Sequence, residues 1–166
     1  MGLYLDKMTE DMAKRICKWK YPGVYKTYNM PNWKSCVDKN FGITNHKIRE
    51  KEFLVLKDNN NNLCGYIRLK EDSDNVLIGV GLKPSKCGQG IGNKLMKLVL
   101  DECNIRYGNK NIRLLVRSFN KRAIRCYEKV GFNIVKITRK NTLMGEDKFL
   151  IMEYQVKTDS RLGGVL

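Results

Sequence analysis

The segment Val76-Leu77-Ile78-Gly79-Val80-Gly81-Leu82-Lys83-Pro84-Ser85-Lys86-Cys87-Gly88-Gln89-Gly90-Ile91-Gly92 decides how the chain folds. Its first half reads as a strand. Side chains alternate along a strand, so Ile78, Val80 and Leu82 share one face and Gly79 and Gly81 the other, which therefore carries no Cβ atoms. Glycine weakens a strand and marks a place where a ligand or another chain approaches the backbone closely. Pro84 removes a donor where the strand should end. In the loop that follows, glycines at 88, 90 and 92 let consecutive N–H groups point inward at the start of a helix, a cradle suited to a diphosphate. The apolar period then changes from that of a strand to that of a helix. Ile91, Leu95, Leu98, Val99 and Cys103 fall on one face of a helix running to about Tyr107, with Gly108 as its C-terminal cap.

Upstream, Phe53 to Leu56 and Leu63 to Leu69 are apolar runs on either side of Asp58-Asn59-Asn60-Asn61-Asn62 and predict a hairpin. The acidic Glu71-Asp72-Ser73-Asp74 turns the chain into the glycine-bearing strand. Leu3 to Met8 predicts a first strand, and Thr9 stands as N-cap of a helix with Glu10 and Asp11 in its first turn. Met12, Ala13, Ile16 and Cys17 keep helical spacing until Tyr21-Pro22-Gly23, and a weaker helix is expected over Met30 to Phe41 around Trp33, Cys36 and Val37. The aromatics Trp19, Tyr21, Tyr25 and Tyr28 read as packing between these two helices, with a substrate-facing wall as the alternative.

Downstream, Ile112 to Arg117 reads as a strand, and Asn120 as N-cap of a helix that carries Ala123, Ile124, Tyr127 and Val130 and ends at Gly131. Ile134 to Thr138 and Lys148 to Val156 are the last strands. The order predicts an α/β (α+β) fold: a mixed, mostly antiparallel seven-stranded sheet flanked by about four helices, with a strand–helix–strand crossover at its centre. It forms one domain over residues 1–157, followed by a loose tail over 158–166.

Composition narrows the function. The 166 residues, 42% hydrophobic and 30% charged, have room for one core. Lys and Arg number 32 against 17 Asp and Glu, and the net charge of +15 attracts phosphates, nucleic acid or acidic surfaces. No apolar run approaches the roughly 18 residues of a membrane span. The opening Met1 to Lys7 has neither the basic region nor the cleavage site of a secretion signal, so a cytoplasmic location is expected. Six scattered cysteines (17, 36, 64, 87, 103, 126) with no C-x-x-C pair read as free, mostly buried thiols, and a single histidine, His46, leaves no metal site expected. A Walker loop needs Gly-Lys-Ser/Thr, whereas Gly92 is followed by Asn93-Lys94-Leu95. A dinucleotide fold needs G-x-G-x-x-G and an acidic end to the next strand, which here is Val116-Arg117.

Two stretches carry a resemblance that spans most of the chain. Cys87-Gly88-Gln89-Gly90-Ile91-Gly92, following Leu82-Lys83-Pro84, resembles the Arg/Gln-x-x-Gly-x-Gly/Ala loop of the GNAT superfamily of acetyl-CoA-dependent N-acetyltransferases. Asn120-Lys121-Arg122-Ala123-Ile124-Arg125-Cys126-Tyr127-Glu128-Lys129-Val130-Gly131-Phe132 is similar to its Asn-x-x-Ala-x-x-x-Tyr-x-x-x-Gly-Phe helix. The resemblance implies acetyl-CoA as co-substrate, its diphosphate held by the loop Cys87, Gly88, Gln89, Gly90, Ile91, Gly92 and Asn93. It implies that the amide-rich arm pairs with Val80, Gly81 and Leu82 as an added half-strand, and that a backbone N–H near Leu82 polarises the acetyl carbonyl. Tyr127 is implied as general acid to the departing thiolate, and Asn120 as a hydrogen-bonding partner of the coenzyme.

On their residues alone, Tyr127 reads as a buried tyrosine beneath Ala123 and Val130, and Asn120 as a helix cap. Cys87 departs from the cationic or amide side chain of the family; it reads as a small loop residue, with Lys86 beside it supplying charge. Relatives that acetylate ribosomal-protein N-termini carry a Glu where Leu115 stands, which counts against a ribosomal substrate. The other candidate bases, Glu71, Asp72, Asp74, Glu153 and His46, read as solvated surface groups, leaving a water chain or buffer to take the proton.

The expected function is acetyl transfer to a primary amine on a small molecule, a peptide N-terminus or a lysine. Two alternatives stand beside it. One is modification of aminoacyl-tRNA, which Lys14, Arg15, Lys18, Lys20, Lys121, Arg122 and Arg125 would suit, although such dispersed charges read first as solvated surface. The other is a non-catalytic acyl-CoA-binding module. A homodimer is implied by the resemblance alone.

Overall fold

The computed structural model describes residues 2–156, so the expected tail over 158–166 lies outside them. The elements are β1 (Leu3–Lys7), α1 (Glu10–Cys17), α2 (Trp33–Asp38), α3 (His46–Glu52), β2 (Phe53–Asp58), β3 (Leu63–Glu71), β4 (Asn75–Leu82), α4 (Ile91–Tyr107), β5 (Asn111–Arg117), α5 (Lys121–Lys129), β6 (Asn133–Thr142) and β7 (Gly145–Tyr154). Short 3-10 turns at Gly23–Tyr28, Gly42–Thr44 and Pro84–Lys86 fill the connections.

The seven strands of the described residues form one sheet in the order β1-β2-β3-β4-β5-β7-β6. Every neighbouring pair is antiparallel except β4 and β5, which run parallel because α4 crosses over between them. Both faces of the sheet are covered. In β2 every residue is buried, and its alternation splits the core: Leu54 and Leu56 join one apolar cluster, Phe53 and Val55 the other. The first cluster lies under α4 and α5 and takes in Leu95, Val99, Ile124 and Phe132; the second lies under the N-terminal helices and takes in Ala13, Ile16 and Cys36.

The predicted caps form. Thr9 accepts from the Met12 N–H at 3.2 Å and Asn120 from the Ala123 N–H at 3.2 Å. Gly131 ends α5 with φ of 106°, a conformation that costs glycine little, and so turns Phe132 inward to 1% exposure.

The N-terminal third departs from the sequence expectation. The helix expected over Met30 to Phe41 is confined to Trp33–Asp38, because Asn32 caps it after Pro31 and Asn40, at φ of 53°, ends it. α3 is an additional, fifth α-helix whose sequence is mostly charged and lacks apolar periodicity. The last two strands form a longer hairpin than expected, running to Thr142 and resuming at Gly145, and β7 ends at Tyr154 rather than Val156. Among the described residues no helix is long and apolar enough to cross a membrane.

Candidate active site

The feature that organises the site is a parting of the central strands. β4 and β5 are paired only from Asn75↔Asn111 to Ile78↔Leu114, although each continues beside its other neighbour. Past Ile78 the two strands separate. The Lys83 N–H donates to the Cys64 carbonyl at 2.8 Å, and backbone groups of an antiparallel strand alternate in direction. Val80 and Leu82 therefore turn their N–H and C=O away from β3 and into the gap, while Gly81 turns its own toward β3. An unpaired strand edge of this kind accepts an extended, amide-bearing ligand.

The gap opens into a cleft of about 540 Å³. One wall is the loop before α4. Gly88 and Gly90 have φ of 78° and 73°, and a Cβ on either would meet nothing within 4 Å, so the space over the loop is free. Among the described residues, the N–H groups of residues 88–93 donate to no protein acceptor, and no side chain caps α4. Unpaired donors and the positive end of a 17-residue helix together make an anion site. Arg122, Arg125 and Lys129 of α5 also line the cleft, and among the described residues no carboxylate does.

Of the residues singled out in the sequence, Val80, Gly81, Leu82, Cys87, Gly88, Gly90, Gly92, Asn93, Asn120 and Tyr127 all line this cleft. Gln89 and Ile91 do not: the Gln89 amide donates back to the Ser85 carbonyl at 2.7 Å, and Ile91 is buried in the core. These two offer only their backbone. The glycine face of β4 is bare at Gly79 but filled at Gly81, where a Cβ would collide with the Tyr66 ring. Gly92 makes room for Cys126, whose thiol donates to the Asn93 side-chain oxygen at 3.2 Å.

Tyr127 lies on α5 with its ring 6.1 Å from that of Phe132, and among the described residues its hydroxyl has no hydrogen-bond partner. Burial, reinforced by Cys126, Tyr28 and Tyr66, drives its pKa well above the ordinary phenol range, so it keeps its proton. Asn120 is doubly engaged: its oxygen caps α5 and its amide donates to the Tyr28 hydroxyl at 3.0 Å.

Of the aromatics read as packing, Trp19 does pack against the second apolar cluster, but those of residues 21–28 belong to the cleft. Tyr21, Tyr25 and Tyr28 line it, together with Tyr66. Tyr21 donates its hydroxyl to the Leu82 carbonyl at 2.8 Å, bridging the wall to the open edge of β4. Sequence reasoning held this wall only as the alternative, because a 3-10 turn has no periodicity to show which way its side chains face.

Lys86, expected to supply charge beside Cys87, points instead toward Asp58 at 4.0 Å. Arg122 supplies it: its guanidinium favours the Cys87 thiolate, but burial outweighs this and raises the thiol's pKa. Cys87 is thereby a poor nucleophile. None of the candidate bases reaches the cleft. Leu115 lines it as an apolar residue, and His46 is exposed beside Glu50. Glu153 is no solvated surface group: it is buried and paired with Arg113. Among the described residues no cluster of three His, Cys, Asp or Glu side chains is arranged to hold a metal ion.

Residues 12–132 match the acetyltransferase (GNAT) family. No curated protein matches the sequence. A chimera of the spermidine N-acetyltransferase SpeG from Vibrio cholerae and hSSAT has a similar structure, with a TM-score of 0.76 and 19% identity over 92% of this chain and 95% of that one. The ribosomal-protein-S18-alanine N-acetyltransferase of Escherichia coli gives 0.68 and 20% over 99% and 100%. A dodecameric structure of the Vibrio cholerae spermidine N-acetyltransferase gives 0.72 and 17% over 98% of each chain.

Proposed function

The chain belongs to the GNAT family of acetyltransferases, and from that premise we propose that it moves the acetyl group of acetyl-CoA to a primary amine by direct attack. The observation that carries this reading is the parted edge of β4, with the N–H groups of Val80 and Leu82 turned into the gap and not paired with β5, opening between an uncapped helix N-terminus and a protonated Tyr127. The site fits the co-substrate of the family. Free space over Gly88 and Gly90, unpaired N–H groups at 88–93 and three cations on the cleft suit a diphosphate, and the backbone of Val80 and Leu82 suits an amide-rich arm.

Bound acetyl-CoA supplies an activated acyl group, which an uncharged amine attacks without an enzyme-linked intermediate. The chain's own contribution is position and charge. The backbone near Leu82 offers its N–H to the acyl oxygen as negative charge develops there, an interaction worth roughly 3 kcal/mol in other acyl-transfer sites. Tyr127 retains its proton until a thiolate departs and then donates it. Burial that weakens the phenol as an acid strengthens a thiolate in the same place as a base, so the transfer stays matched. With no carboxylate or histidine among the described residues that line the cleft, the proton of the attacking amine leaves through water.

The fold serves more than one kind of acceptor, since two similar structures are named for spermidine and for a ribosomal-protein alanine. Release of free thiol from acetyl-CoA across a panel of primary amines tests the reading. A signal that depends on both the amine and Tyr127 supports it. Tight coenzyme binding with no thiol release from any amine favours a non-catalytic acyl-CoA-binding module, the reading to which the missing base points.

A further inference from the structure

The cleft carries cations and aromatic surface, and its acceptor side offers no anionic group. Among the described residues, no Asp or Glu lines the cleft or the neighbouring pocket. The carboxylates behind these walls are already held by arginines: Glu52 pairs with Arg68 at 2.7 Å, and Asp147 with Arg117. Tyrosine faces can also hold an ammonium ion. Here, however, Tyr25 and Tyr28 already carry cations, with Arg122 at 5.0 Å and Arg117 at 5.7 Å from the ring centroids. A polyamine bears at least two positive charges at neutral pH. Each one that does not react would lose its water with no counter-charge and face the field of a +15 protein. A monoamine avoids this, because its single nitrogen enters the reaction uncharged.

A second observation shows where the rest of such a molecule fits. A pocket of about 450 Å³, lined by the apolar Met30, Phe41, Ile43 and Phe53 and by Asn40 and Arg68, whose guanidinium lies 5.2 Å from the Phe53 ring centroid, shares Tyr66 and Gly79 with the cleft. Residue 79, which lines both, has no side chain and leaves open space between them: a Cβ there would meet only the Arg68 Cβ, at 3.9 Å. We propose that the acceptor is a monoamine with an aromatic or apolar body, that this body passes Gly79 into the side pocket, and that polyamines are rejected. The proposal rests on the acetyl-transfer reading of the same cleft.

The test compares 2-phenylethylamine, ethylamine and spermidine as acceptors by thiol release, and as ligands by calorimetry on the coenzyme-A-saturated protein. The expected result is a kcat/KM for 2-phenylethylamine at least tenfold above those for ethylamine and spermidine. Gly79 has no positive φ and open space around it, so Gly79→Leu should fold. It should cost 2-phenylethylamine at least tenfold and ethylamine less than threefold. Spermidine equal to or better than 2-phenylethylamine overturns the proposal, as does an equal loss for both monoamines in the variant. Should no amine release thiol, the acetyl-transfer reading fails, and calorimetry still decides the pocket. Binding of 2-phenylethylamine that Gly79→Leu removes supports the pocket, and its absence or a preference for spermidine overturns it.

Discussion

At Gly90, φ is 73° and an added Cβ meets no atom within 4 Å, so Gly90→Leu separates the cost to folding from the cost to binding. A side chain forced into the left-handed region costs about 1–2 kcal/mol. For a domain of this size that lowers Tm by roughly 2–8 °C, with no steric clash to add. Binding should suffer far more. Four branched-chain carbons at the mouth of α4 would lie over the donors of residues 88–93, which no described residue pairs. A hydrogen bond to a charged group is worth about 1.5–3 kcal/mol, so denying a diphosphate two of them removes about 3–6 kcal/mol. The expected rise in Kd is roughly 10²- to 10⁴-fold. Calorimetry with coenzyme A, beside a thermal melt of the same sample, measures both quantities. Gly90→Ala serves as control, with the same backbone cost and less covering. A folded Gly90→Leu protein whose Kd stays within threefold of the parent would refute the cradle.

Tyr127→Phe should lower kcat by about tenfold or more while coenzyme affinity stays nearly constant, because only the hydroxyl is lost and the ring remains against Phe132. Steady-state rates equal to the parent's would sink the acid role. Asp147 gives a pH prediction. The Arg117 hydrogen bond holds its carboxyl below the usual range, so its stabilisation is complete above the unfolded value near 4 and disappears as pH falls through the lower, folded value. Asp147→Asn should therefore destabilise the protein at pH 7, by on the order of 1–3 kcal/mol since Asp147 is partly solvated, and by less at pH 3. Urea unfolding at the two pH values checks this, and an unchanged gap contradicts it.

The sheet and the loop of the site were legible because each rests on a local rule. Glycines at 88 and 90 are needed for their backbone angles, and Asn120 and Gly131-Phe132 bracket a helix through its cap and its stop. What escaped reading depends on contacts distant in sequence. Gly81 looked like an opening for a ligand, but its missing side chain accommodates Tyr66 on the neighbouring strand. Lys86 adjoins Cys87 in sequence, yet Arg122, 35 residues on, supplies the charge. Charged α3, which buries Arg49 where an apolar residue would be expected, gave no periodic signal. Glu153 read as surface because nothing in its own strand shows that Arg113 lies opposite.

The parting of β4 from β5 has a mechanical consequence. Beyond Ile78 and Leu114 the two halves of the sheet are no longer stitched to each other, so the middle of the sheet is hydrogen-bonded at one end only. A molecule threaded along the free margin of β4 while touching the opposite bank would act as a zip, tying the halves by mass action alone. Resistance to heat should then climb with the concentration of that molecule, before any acceptor arrives and whether or not chemistry follows.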